Sequence, residues 1–160
     1  MNKNPGCRDK TREDHRCECE QLRRVTGILP HRPPFLFVSR IICVQHGQSA
    51  LAEYDVPQDH MFFQGHFPQE PVFPGVITLE MMAQTAALAV LAESGLSGQV
   101  AYLAAVENAR FRKPIRPGDT LRAEMEIESM RMNICRARGA ALVDGQEVAS
   151  AVIVFALGSA

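Results

Sequence analysis

Over residues 120–129, Leu121, Ala123, Met125 and Ile127 alternate with Arg122, Glu124, Glu126 and Glu128. A period of two sets one face of a strand on a core and the other in water. Segments of strand length and pattern also occupy 35–44, 49–56, 100–109, 133–142 and 147–157. Turn residues punctuate them, at Gln45-His46-Gly47-Gln48, Pro117-Gly118-Asp119 and Asp144-Gly145, and such residues reverse the chain between strands. The pattern changes over 76–93, where Ile77, Leu79, Met81, Met82, Ala86, Leu88, Val90 and Leu91 leave no face polar and no Gly or Pro interrupts. This predicts a helix of about 27 Å, closed by Ser94-Gly95, and a helix apolar all round must be wrapped by other structure. A shorter amphipathic helix is predicted over 20–29, from Leu22, Val25, Ile28 and Leu29, spaced at three and four.

Two strands, one apolar helix and four further strands predict an α+β fold, a curved antiparallel sheet wrapped around a single central helix. Such a sheet leaves edges unpaired, and pairing edges between two copies removes that liability, so a homodimer is expected.

Composition refines this picture only at its margins. A chain of 160 residues suits one core. The first 20 residues are dense in Asn, Lys, Arg, Asp and Glu, and read as a flexible extension ahead of a single domain over 21–160. A net charge of −1 gives no overall attraction to nucleic acid or anionic membrane, so a charged partner needs a local patch. Cys7, Cys17, Cys19, Cys43 and Cys135 lack the spacing of a disulfide framework or a zinc ribbon, which predicts reduced thiols, a cytoplasmic setting and no metal. The start of the chain lacks the pattern of a secretory signal. Glu80 and Gln84 interrupt a helix already short for a membrane span.

Those two residues also open the question of chemistry. Glu80 lies about one turn into a helix built for burial, and an unpaired carboxylate there costs several kcal/mol unless it is protonated or hydrogen-bonded. Gln84 follows at four residues, on the same face, where its amide can orient the carboxyl or a bound water. A wet helix end is the plainer reading. His66 sits in Gly65-His66-Phe67-Pro68, a loop shortly before the helix, and loops on rigid elements often carry reactive groups; a structural or exposed histidine is the plainer alternative. Gly75 marks the helix entry, where free backbone N–H groups can receive an oxyanion or simply make a turn. His15, His31, His46 and His60 lack such context and read as structural or exposed.

Several stretches are familiar together: Leu29-Pro30-His31-Arg32-Pro33-Pro34-Phe35, Phe62-Phe63-Gln64-Gly65-His66-Phe67-Pro68, Pro74-Gly75-Val76, Leu79-Glu80-Met81-Met82-Ala83-Gln84, Ala109-Arg110-Phe111 and Arg116-Pro117-Gly118-Asp119. Over about 22–157 the chain resembles the β-hydroxyacyl-acyl carrier protein dehydratases of bacterial-type fatty acid synthesis. The resemblance implies a hotdog fold, a homodimer assembled as a trimer of dimers, an acyl tunnel at the dimer interface and no metal or organic cofactor. It makes His66 the base and Glu80 the acid, facing each other across two subunits, with the Gly75 amide on the thioester carbonyl and Val76 beside it. Neutral His66 would take a proton from the carbon next to the carbonyl, and Glu80, kept protonated by apolar surroundings, would give one to the departing β-hydroxyl, leaving a trans-2-enoyl thioester. The tunnel would be lined by Phe63, Phe73, Ile77 and Tyr102. Arg110, Arg112, Lys113 and Arg116 would form a positive stretch for the acyl carrier protein that bears the β-hydroxyacyl chain.

Two positions depart from the pattern: Ser39 stands where many relatives carry Asp, and Ala105 replaces a common Gly. A hotdog thioesterase and a non-catalytic acyl-binding subunit are the rival readings. The spacing of His66 and Glu80 favours elimination, and Glu in place of the Asp typical of an isomerising branch favours simple dehydration.

Overall fold

The alternating segment becomes the middle of a six-stranded antiparallel sheet in a computed structural model, which describes residues 24–92 and 95–158. The strands are β1 (Arg40–Gln45), β2 (Ser49–Asp55), β3 (Val100–Phe111), β4 (Thr120–Arg131), β5 (Ile134–Val143) and β6 (Gln146–Gly158), in the order β1-β2-β4-β5-β6-β3. A short helix α1 covers residues 24–28 and the long helix α2 covers Gly75–Leu91. The expectations for residues 1–20 lie outside the described residues.

Small side chains let the sheet close on the helix. Ala52, Ala123 and Ala141 align across β2, β4 and β5 and are fully buried, as are Ala86 and Ala89 of α2. With Met81, Met82, Leu88, Leu91 and Ile153 they form the apolar layer between sheet and helix, and dense packing of that layer is what burial of these side chains stabilises. Gly139 of β5 allows a close approach between strands: a Cβ there would collide with the Glu124 carbonyl on β4.

One predicted strand is shorter than its pattern. Pairing of the 35–44 segment starts only at Ser39, whose N–H donates to Glu53 O at 2.8 Å. The Ser39 hydroxyl in turn accepts from the Asp55 N–H at 3.0 Å, so the departure at this position is absorbed as a cap on β2. Upstream, Leu36, Phe37 and Val38 are buried but take no strand partner. Phe37 is ringed by Phe35, Tyr54, His60, Phe62 and Phe73, so the apolar run plugs the core as an extended segment. The phenol of Tyr54 is pushed up to about 12 by that burial, with Asp55 adding to it.

The thiol expectation is corrected for Cys43, which is disulfide-bonded. Cys135 is a buried free thiol, which burial pushes up to about 11. Among the described residues no helix is long and apolar enough to cross a membrane.

Candidate active site

The entry to α2 is bare of the groups that usually quench a helix terminus. Its N-cap is Pro74, which offers no side-chain hydrogen bond, and the first turn carries no acidic residue. The Pro74 carbonyl takes the N–H groups of Ile77 at 3.0 Å and Thr78 at 3.1 Å, which leaves the Gly75 and Val76 amides without an acceptor among the described residues. Free N–H groups and the positive end of the helix dipole together favour negative charge. Val76 is 70% exposed, so the site is open to a ligand. Gly75 lacks a Cβ for a local reason: one built there would lie 2.8 Å from the Phe111 ring.

Glu80 stands further along α2 and is fastened on one side. The Gln84 amide donates to its Oε1 at 2.9 Å. Gln84 is itself 1% exposed, and it bridges to the extended segment by accepting the Phe37 N–H at 2.9 Å and donating to Phe35 O at 3.2 Å. The i, i+4 spacing puts the two side chains on one face, and the plug of the core then fixes the amide. Glu80 keeps 20% of its side chain exposed in the single chain. One residue set aside in the sequence belongs here too: His31 Nε2 lies 3.5 Å from Glu80 Oε1.

His66 follows a short 3-10 turn over Met61–Gln64. Its N–H donates to Phe62 O at 2.8 Å, and its carbonyl accepts from the Val72 N–H at 3.2 Å. The ring is fixed by the same neighbour, with Nδ1 2.8 Å from Val72 O. A carbonyl only accepts, so Nδ1 carries the proton and the neutral ring presents its lone pair at Nε2. Within one chain no hydrogen bond or ion pair joins His66 to Glu80 among the described residues.

The residues assigned to the tunnel divide. Phe63 and Phe73 are buried in the core, Ile77 packs half-buried against it, and Tyr102 lies 59% exposed at the sheet edge, its ring over Gly158. A groove of about 960 Å³ lies elsewhere on the sheet, lined by Arg110, Arg112, Arg122, Glu124 and Glu126 among others. The positive stretch is largely spoken for. Arg112 pairs with Glu147 at 3.0 Å, Arg116 with Glu70 at 3.3 Å, and Lys113 donates to Gln146. Arg110 alone of the four has no partner among the described residues. No group of three or more metal-ligating side chains is placed to hold an ion among the described residues.

Sheet, helix and helix-entry site define a hotdog-fold protein. The dehydratase heterocomplex ApeI:P from Xenorhabdus doucetiae shares this fold, with a TM-score of 0.71 at 18% identity over 84% of this chain and 91% of that one. So does Cj0977, a sigma28-regulated virulence protein from Campylobacter jejuni, with a TM-score of 0.67 at 12% identity over 92% and 97%. Residues 29–152 match the FabA-like domain, and the chain belongs to that family. It is 44% identical to the 3-hydroxyacyl-(acyl-carrier-protein) dehydratase FabZ of Roseiflexus castenholzii, over 85% of this chain and 95% of that protein. To the FabZ of Bacillus subtilis it is 43% identical, over 85% and 96%.

Proposed function

We propose that the chain is a dehydratase that removes water from a 3-hydroxyacyl thioester borne on acyl carrier protein, giving the trans-2-enoyl thioester. The observation that carries the reading is a helix terminus with two free amides, preceded by an imidazole of fixed tautomer and followed by a tethered carboxyl. His66 Nε2 takes the proton from the carbon next to the thioester carbonyl. The charge that develops on the carbonyl oxygen meets the Gly75 amide, with Val76 beside it; one such donor contributes about 3 kcal/mol in favourable cases. Glu80 gives its proton to the leaving hydroxyl, the carbon–oxygen bond breaks, and water departs. Imidazolium and carboxylate then return to their starting forms by net transfer of the proton from one to the other.

The two groups make no contact within one chain, so the site is assigned to two copies, joined along the uncovered edge of β3 and repeated as a trimer of dimers. The acyl chain lies in the seam between them, near Ile77 and Tyr102. Arg110 supplies the free cation for an acidic carrier protein, with Arg112, Lys113 and Arg116 available once their own partners yield.

The test is complementation. His66→Ala and Glu80→Gln are each expected to lose at least about a hundredfold in kcat while staying folded. Mixed and refolded together, half the dimers pair unlike chains and each of these has one intact site, so about a quarter of wild-type activity returns. Mixed dimers with no recovered turnover would sink the shared site. Wild-type protein that releases free thiol with no conjugated enoyl absorbance would instead be a thioesterase.

A further inference from the structure

The loop ahead of β1 does more than plug the core. Arg32 folds back on it, donating from Nη1 to Leu29 O at 2.9 Å and to His31 O at 2.7 Å. Gln84 pins the following residues through Phe35 O and the Phe37 N–H. Between these two ties His31 is held with Nε2 3.5 Å from Glu80 Oε1, while its Nδ1 is buried without a hydrogen-bond partner. A neutral imidazole has one N–H to place. On Nδ1 it would be a buried donor with no acceptor, and it would leave the Nε2 lone pair facing a carboxyl oxygen. On Nε2 it points at that oxygen, so the second tautomer wins.

Oε1 of Glu80 therefore accepts from Gln84 at 2.9 Å and faces the His31 N–H at the longer distance of 3.5 Å, whereas Oε2 has no partner among the described residues. We propose that His31 is a positioning residue of the dehydration: with Gln84 it clamps Oε1, so that Oε2 is the oxygen that hands its proton to the leaving hydroxyl. The inference rests on Glu80 being the acid. Burial holds His31 below the ordinary histidine range against the pull of Glu80, with Arg32 adding to burial, which keeps the ring in the neutral form that the clamp uses. His31 touches no reacting atom in this scheme; it fixes the rotation of the carboxyl.

The experiment compares His31→Leu, which keeps bulk and removes the donor, with His31→Gln, which keeps an N–H at similar reach. His31→Leu should lower kcat about fivefold to tenfold, within the span for one hydrogen bond between neutral groups, with KM changed less than about twofold. His31→Gln should recover kcat to within about threefold of wild type. In a Glu80→Asp background, where the carboxyl is drawn back by one methylene, His31→Leu should cost less than about twofold, because the contact it removes is already gone. Should His31→Leu not yield folded protein, His31→Asn, polar but too short to reach, takes its place with the same expected loss. Wild-type kcat in folded His31→Leu, equal losses in Leu and Gln variants, or an undiminished loss in the Asp background would overturn the proposal. Wild-type turnover in Glu80→Gln would overturn the acid assignment instead, and is read separately.

Discussion

β3 and β4 are both strands of 12 residues, yet they do opposite things with their apolar side chains. β4 is paired on both sides, with β2 and β5, and its alternating residues Leu121, Ala123 and Met125 vanish into the core. Among the described residues β3 pairs only with β6, and it leaves Tyr102, Leu103 and Phe111 at least half exposed. The register of β3 also slips twice, between Leu103 and Ala105 and between Glu107 and Arg110, with Asn108 at a positive φ of 53°. Bulges of this kind blunt an edge against indiscriminate pairing. The difference teaches where the single chain is finished and where it is not. The closed side buries the core of the fold; the open side carries Phe111 against Gly75 at the helix entry, so the unfinished edge and the candidate site adjoin.

The comparison is broken most severely from the closed side. In Gly139→Val the new side chain must displace the Glu124 backbone and the Met125 sulfur, and backbone does not yield cheaply. We expect a loss of about 3 kcal/mol or more in stability, read as a lower urea midpoint with little change in slope. Retained midpoint would mean that the sheet relaxes around the site. From the open side, Leu103→Lys puts a charge on the edge without touching the core. The chain should stay folded by circular dichroism, sediment as a monomer, and lose about a hundredfold or more in activity, since one copy then lacks its neighbour's half of the site. A fully active monomer would remove the role assigned to β3.

How much of this was legible beforehand follows the same division. Strand alternation in β4 and the unbroken apolar run of α2 are local patterns, and both elements formed within two residues of their predicted bounds. Glu80 and Gln84 were readable as neighbours because helix geometry fixes i, i+4 pairs without reference to anything else. The apolar run at 35–38 imitates a strand, since a plug against aromatic rings and a buried strand need the same residues. His31 looked unremarkable because its partner lies on another element, and its proximity is set by the Arg32 and Gln84 ties. The basic stretch reads as free charge for a related reason: Glu70, Gln146 and Glu147 that engage it are distant in sequence. What escaped the sequence was tertiary pairing of polar groups.

The smallest expected effect separates the two sides by pH. Burial lowers His31 and, with Asp59 opposing, also His60 from the ordinary value of 6.5. In the unfolded chain both take up protons as pH falls through 6.5, while the folded chain resists until lower pH. The unfolded state then binds more protons, so stability is full above about pH 6.5 and declines as pH falls toward the folded values. Carboxylates do not confuse this window. Asp55, held down by Arg40 and Thr120 in spite of its burial, and Glu128, held down by Arg138 and then Arg136, start from 3.8 and 4.5, so their contributions are lost only at lower pH. His60 belongs to the closed side, stacked on Phe62 at 4.3 Å, and His31 to the open one. His60→Phe should flatten part of the decline in Tm between pH 6.5 and 5, and leave kcat unchanged. His31→Leu should flatten a further part and lower kcat as well, so that one kind of titration reports packing on one side of the molecule and chemistry on the other. An unchanged slope in His60→Phe would show that the aromatic cluster accommodates an imidazolium, and would confine the histidine contribution to the open side.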